Sequence, residues 1–256
     1  MKRILACLLA ALLLFTPTAC GRGAGEGKTC LGDLMSPDVK AVTLILRREG
    51  SAVRIGTGEA DEGEEYEIAD LRDADLSAVR QLSGLERLVL DFERDLPDSE
   101  QMRKITESFL SLPSLHSVMI ESAPFDLSGL QAVFPRETHL VRYTFRGAID
   151  LSGVEALYLT DSAWKETSFT GTDGISSLFL DGSAVPERPG SLSAFPALAR
   201  LSLPVGTGSY TGDWPIELTG ERPEIPEGIE LPFTEEDIRS CLEGSGDLVI
   251  VLRPSL

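Results

Sequence analysis

Apolar residues along this chain change period in mid-phrase. In DLSGVEALYLTD (150–161), Leu151, Val154, Leu157 and Leu159 fall at spacings of three, three and two. Spacings of three keep side chains on one side of a turning or helix-like segment, whereas a spacing of two is a strand with alternate residues inward. The phrase therefore describes a turn that runs into a strand. It recurs as LSGLERLVL (Leu82, Leu85, Leu88, Leu90), LPSLHSVMI (Leu112, Leu115, Val118, Ile120) and FPALARLSL (Phe195, Leu198, Leu201, Leu203). ISSLFL supplies its second half with Ile175, Leu178 and Leu180.

Counted by the last inward residue, the units end at 90, 120, 159, 180 and 203. VTLIL, ending at Leu46, and YEI, ending at Ile68, extend the series backwards at intervals of 22. The longer interval before Ile120 holds DSEQMRKITESFL, whose Met102, Ile105, Phe109 and Leu112 lie on one face of a helix capped by Asp98 or Ser99. Between 120 and 159, LVRYTF (140–145) alternates Val141, Tyr143 and Phe145 with Arg142 and Thr144, which predicts another strand.

Self-similarity at 20 to 30 residues with one short strand per unit predicts a stacked array, because no unit buries its apolar side without its neighbours. The phrases resemble leucine-rich repeats, L-x-x-L-x-L, over about residues 76–204. That resemblance implies an α/β solenoid with a short parallel sheet and an irregular helical and loop convex side. It also implies that residues between the inward positions line the concave face. The family's asparagine ladder is missing, since the chain has no asparagine; its places hold Glu93, Ala123, Ser162, Ser183 and Gly206, and serine is suited to part of that work. A two-layer α/β domain is the alternative architecture.

The two ends depart from the repeat, as the ends of a stack must to stay soluble. Residues 39–75 are expected to form an N-terminal cap with a hairpin over Glu49-Gly50-Ser51. Residues 212–256 are expected to form a C-terminal cap: a proline-rich wrapping segment to 233, a short helix in TEEDIRSCLEG capped by Thr234 with Asp237 and stopped at Gly244, and a buried strand over 247–252. The whole of 39–256 is thus one leucine-rich-repeat-like domain.

The N-terminus changes the setting. Lys2 and Arg3 precede an uncharged run of twelve residues, Ile4 to Phe15, too short to span a bilayer comfortably, and the segment reads as an export signal. TPTAC followed by GRGAGEGK resembles a bacterial lipoprotein signal, with Pro17 where that family prefers an aliphatic residue. The resemblance implies removal of residues 1–19, lipidation of Cys20, a flexible tether over 20–38 and a place on the outer face of a membrane, anchored by lipid alone. Ordinary signal cleavage and secretion is the alternative. Without residues 1–19, 21 basic residues face 41 acidic ones, a net charge of −20, which disfavours nucleic acid and anionic lipid surfaces. EADEGEEYE (59–67) is the densest acidic run and reads as a solvated loop, lacking the D-x-D-x-D-G spacing of a calcium loop. Of the remaining cysteines, Cys30 and Cys241 fall near opposite ends of the proposed stack, which argues against a bridge between them.

Signatures of catalysis are sparse. His116 and His139 have no acidic or cysteine partner at metal-ligand spacing and read as ordinary surface or half-buried histidines. SAWK (162–165) matches S-x-x-K without the partner motifs of that family, and GTGSYTG (206–212) has Thr211 where a nucleotide loop needs its third glycine. No cofactor or metal is expected. The outward positions are more telling: Val89, Met119, Tyr158, Phe179 and Ser202 form an apolar row, and Asp91, Glu121, Thr160 and Asp181 follow as an acidic one. Such a stripe suits recognition of a protein or peptide of basic character. The sequence thus reads as a non-enzymatic binding module of the cell envelope, with Val89, Asp91, Met119, Glu121, Tyr158, Phe179 and Asp181 as its ligand-binding residues. Competing readings remain: an envelope hydrolase acting on glycan or peptide with paired carboxylates, a structural surface protein with no specific ligand, a transporter's substrate-binding protein, disfavoured because two lobes of alternating strands and long helices are not visible, and a row buried beneath the proline-rich segment or turned inward by a slip of parity.

Overall fold

The computed structural model describes residues 36, 38–56, 64–68, 76–186, 189–220, 224–244 and 247–255. The export signal, Cys20, the tether up to 35 and the Cys30–Cys241 pairing lie outside the described residues. The architecture is α/β, with one large, mostly parallel sheet and few helices. In chain order its elements are β1 (Ala41–Leu46), β2 (Ala52–Gly56), β3 (Glu64–Glu67), β4 (Arg87–Phe92), α1 (Glu100–Leu110), β5 (Ser117–Glu121), β6 (Glu137–Val141), β7 (Ile149–Asp150), β8 (Ala156–Thr160), β9 (Phe169–Thr170), β10 (Ser177–Asp181), β11 (Arg200–Val205), β12 (Ile216–Leu218), α2 (Glu235–Gly244) and β13 (Val249–Pro254).

Eleven strands form the sheet in the order β12-β13-β11-β10-β8-β6-β5-β4-β1-β2-β3. Eight of them, from β1 through β4, β5, β6, β8, β10 and β11 to β13, are parallel and lie in chain order. β2, β3 and β12 are antiparallel additions at the two edges. Between β4 and β11, short 3₁₀ turns and the small parallel pair β7–β9 make the crossovers, with α1 filling the longest of these, and α2 lies in the connection to β13.

Register explains the period of two. Leu90, Ile120, Leu140, Leu159 and Leu180 stand opposite one another on successive strands, with Leu44 on β1, and each is fully buried. A second inward row runs through Leu88, Val118, Thr138, Leu157, Leu178 and Leu201. The residues at the spacings of three, such as Leu82, Leu85, Leu151, Val154 and Ile175, are buried beneath these rows in the turns that lead into the strands. Burying each leucine contributes roughly 2–3 kcal/mol. In α1, Ile105, Phe109 and Leu110 face the same core; Ser99 is its N-cap residue but makes no side-chain cap, and Asp98 instead holds Arg103 through two contacts of 3.2 and 2.6 Å.

Three expectations are corrected. The strand expected over 140–145 begins earlier, at Glu137, and its inward residues are Thr138 and Leu140, so Val141 faces outward. Thr138 tolerates the core because its hydroxyl donates to the Pro135 carbonyl at 2.9 Å. Tyr143 is buried beyond the strand end, where its hydroxyl accepts the Leu127 N–H at 2.9 Å; burial pushes its phenol up to about 12. YEI does not extend the parallel series: β3 pairs antiparallel with β2, and β1 lies directly against β4. Accordingly Glu64–Glu67, the end of the acidic run, is strand rather than loop.

The ends otherwise form as expected. β1 and β2 make a hairpin through Gly50, whose φ of +67° suits glycine. Thr234 and Asp237 exchange hydrogen bonds of 3.1 and 3.2 Å as a capping box ahead of α2. Part of the proline-rich segment becomes the edge strand β12, with Leu218 buried.

The parallel strands β5, β6, β8 and β10 leave the sheet in a common way. The residue after each, Ser122, Arg142, Asp161 or Gly182, takes a left-handed backbone with φ between +49° and +55°. For a residue with a Cβ that conformation costs about 1–2 kcal/mol. Hydrogen bonds offset part of it: Ser122, Arg142 and Asp161 each donate their N–H to the last residue of the next strand, at 2.9, 2.8 and 3.2 Å. At 182 glycine avoids this cost, and a Cβ there would also require the Asp161 carboxylate to shift.

Candidate functional site

The outer face of the sheet, opposite the core, carries the residues singled out by parity. Register places Val89, Met119, His139, Tyr158, Phe179 and Ser202 in one continuous row across six strands. All except Ser202, which is buried, are half-buried. The next row outward runs Asp91, Glu121, Val141, Thr160, Asp181. The proline-rich segment contributes β12 to the sheet edge, with Glu217 beside Val251.

His139 and Val141 complete the two rows, and sequence reasoning missed both. Their signal was the interval: Leu140 stands 20 residues after Ile120 and 19 before Leu159, matching the 21 between Leu159 and Leu180. Thr138 at an inward position obscured it.

Side chains one strand apart, about 4.8 Å, can lie flat against each other. The His139 and Tyr158 rings are parallel within 3° with centroids 3.9 Å apart, and Tyr158 and Phe179 are parallel within 2° at 4.1 Å. Because the rings stack along the sheet, they cover one another's faces and turn their edges outward. Those edges carry C–H groups of partial positive charge, the phenol and the imidazole nitrogens.

His139 Nε2 lies 2.9 Å from Glu137 Oε1; a carboxylate only accepts, so Nε2 carries the proton. The Ser117 hydroxyl donates to the same oxygen at 3.1 Å. Burial opposes ionisation of Glu137, but the hydrogen bonds from His139 and Ser117, with the charge of Arg87, outweigh it and hold the carboxyl below its usual value. Burial, with the Glu137 charge, raises the Tyr158 phenol. This arrangement orients the imidazole; it does not activate the serine, whose proton points at the carboxylate.

The acidic row is partly neutralised. Glu121 pairs with Arg142, and Arg253 sits 4.0 Å from Asp181 while donating to the Ser202 hydroxyl at 2.5 Å and the Leu180 carbonyl at 2.9 Å. Among the described residues Asp91 alone in that row has a carboxylate with no ion pair. The rim is therefore mixed in charge rather than uniformly acidic.

Other sequence candidates take structural places. Ser162 of SAWK is fully buried: its hydroxyl accepts the Tyr143 N–H at 2.9 Å and lies within donating distance of the Thr160 and Leu140 carbonyls, at 2.9 and 3.1 Å. His116 is exposed, its Nδ1 against the Ser114 carbonyl. Among the described residues no group of three or more histidine, cysteine, aspartate or glutamate side chains is placed to hold a metal ion, and no helix is long and apolar enough to cross a membrane.

Comparison with protein-family models, curated proteins and solved structures finds no match to this chain.

Proposed function

We propose that the protein is an exported, lipid-anchored envelope module of leucine-rich-repeat-like build that binds a protein or peptide, without catalysis, through the outer face of its sheet. One observation carries the reading: register sets Val89, Met119, His139, Tyr158 and Phe179 side by side, half-exposed, with three rings in contact. A contiguous apolar stripe with a polar rim is the usual form of a recognition surface. The ring edges and the Tyr158 hydroxyl favour a ligand offering carbonyl acceptors, as an extended peptide does. Asp91 and Glu137 favour a basic side chain in that peptide. The leucine-rich-repeat-like build is supported by parallel strands in chain order, the recurring 3-3-2 spacing and the ladder role of Ser162. Export and anchoring at Cys20 rest on the N-terminal sequence.

The test is selection of displayed random peptides on the mature chain, repeated with Thr160→Arg, which inserts a bulky cation beside Tyr158 and removes no ring contact. Enrichment of basic peptides with apolar neighbours, lost at least tenfold in the variant with its unfolding midpoint unchanged, supports the reading. No enrichment, or enrichment indifferent to the variant, overturns it. Labelling with a palmitate analogue that persists in Cys20→Ala would refute anchoring at that residue.

A further inference from the structure

Away from the outer face, the C-terminal ends of the parallel strands line a wide, open cleft of about 690 Å³. Asp95, Ser122, Arg142 and Asp161 are the non-glycine residues with positive φ among those described, and all four line it. Glycine would adopt these conformations without strain, and the chain uses glycine freely elsewhere. Strained backbone gathered at one concavity is the pattern of a functional site. The outside of the carboxyl ends of parallel strands is also where α/β sheets commonly receive ligands.

The lining points to the chemistry of the ligand. Arg94, Arg142 and Arg146 converge on the cleft in a chain with 23 basic and 41 acidic residues. Arg94 and Arg146 are exposed and have no ion pair among the described residues, while Arg142 reaches Glu121 on the sheet face. Two carboxylates share the lining with the three arginines: Asp161, which accepts the Ser183 N–H at 3.1 Å, and the exposed Asp95. Ser122, Thr144 and Ser183 add hydroxyls beside the guanidinium groups. A guanidinium presents parallel N–H groups that match a carboxylate or phosphate in two-point contact.

We infer that this cleft binds a compact ligand bearing two or more oxyanionic groups, phosphate or carboxylate, gripped by Arg94 and Arg146, with Arg142 shared between the ligand and Glu121. The cleft meets the peptide-binding face at the Arg142–Glu121 pair, but its grip on the ligand by Arg94 and Arg146 stands or falls without that face.

Calorimetric titration of the mature chain with pyrophosphate, and separately with citrate, tests the inference and distinguishes the two sources of negative charge. Saturable binding of either probe is expected, weakening with added salt. Arg94→Gln/Arg146→Gln should weaken it at least tenfold with an unchanged unfolding midpoint. Lys104→Gln/Arg136→Gln, which removes the same charge far from the cleft, should change it less than threefold. Absence of binding by both probes, equal affinity in the cleft variant, or equal weakening by the remote variant would each overturn the proposal.

Discussion

The outer face of the sheet and the rim at its strand ends are built three residues apart on the same strands, yet they are held by different means. On the face, regular extended backbone carries Met119, His139, Tyr158 and Phe179, which lean on one another. On the rim, Ser122, Arg142, Asp161 and Gly182 turn left-handed, the first three donating their N–H groups to the neighbouring strand and Gly182 to the Asp181 carboxylate. The face is thus an array of replaceable side chains on a secure frame. The rim is the frame itself, bent where the cleft lies.

That contrast predicts an ordering of effects. Ser162→Ala should cost the most, about 2–3 kcal/mol in urea unfolding, because it leaves the buried Tyr143 N–H without its acceptor. Tyr158→Ala should cost about 1 kcal/mol, the worth of two cross-strand contacts, and Tyr158→Phe almost nothing. If Tyr158→Ala proved as damaging as Ser162→Ala, the distinction between face and frame would fail.

The smallest effect concerns pH. The Glu137 carboxyl is held below its ordinary value, so its contribution is present above the unfolded-state value of about 4.3 and is lost as pH falls through the lower folded value. The carboxylate is nearly half exposed, at 46%, and solvent screening limits the contribution to roughly a few tenths of a kcal/mol. The stability difference between the native chain and Glu137→Gln should therefore be constant near neutrality and vanish in acid; a difference that grows in acid would contradict the assignment.

Much of the frame was legible because burial on one side of a strand writes itself as alternation. Leu88 and Leu90, Leu157 and Leu159, and Leu178 and Leu180 announce both strand and facing. Legibility ended where a polar residue took an inward place: with Thr138 in the core, the eye moves to Val141, Tyr143 and Phe145, and the phase of β6 is lost along with His139. It also failed where an interval coincided without a cause, since the 22 residues from Leu46 to Ile68 span a hairpin and an antiparallel edge rather than a parallel unit. The rim was nearly invisible. Gly182 hints at a left-handed turn, but Ser122, Arg142 and Asp161 reach the same conformation with residue types that give no such notice.

The strand order has a bearing on how the molecule comes into being. Each parallel strand after β1 is laid against a partner that precedes it in the chain. A polypeptide delivered from its N-terminus can therefore dock every such strand on a surface already finished, without holding a sticky segment open for a partner still to come. β12 is the exception, since its place is against β13, which is made later. The last event in assembly is then the arrival of β13, and truncation within the final residues would strand β12 as well as delete β13.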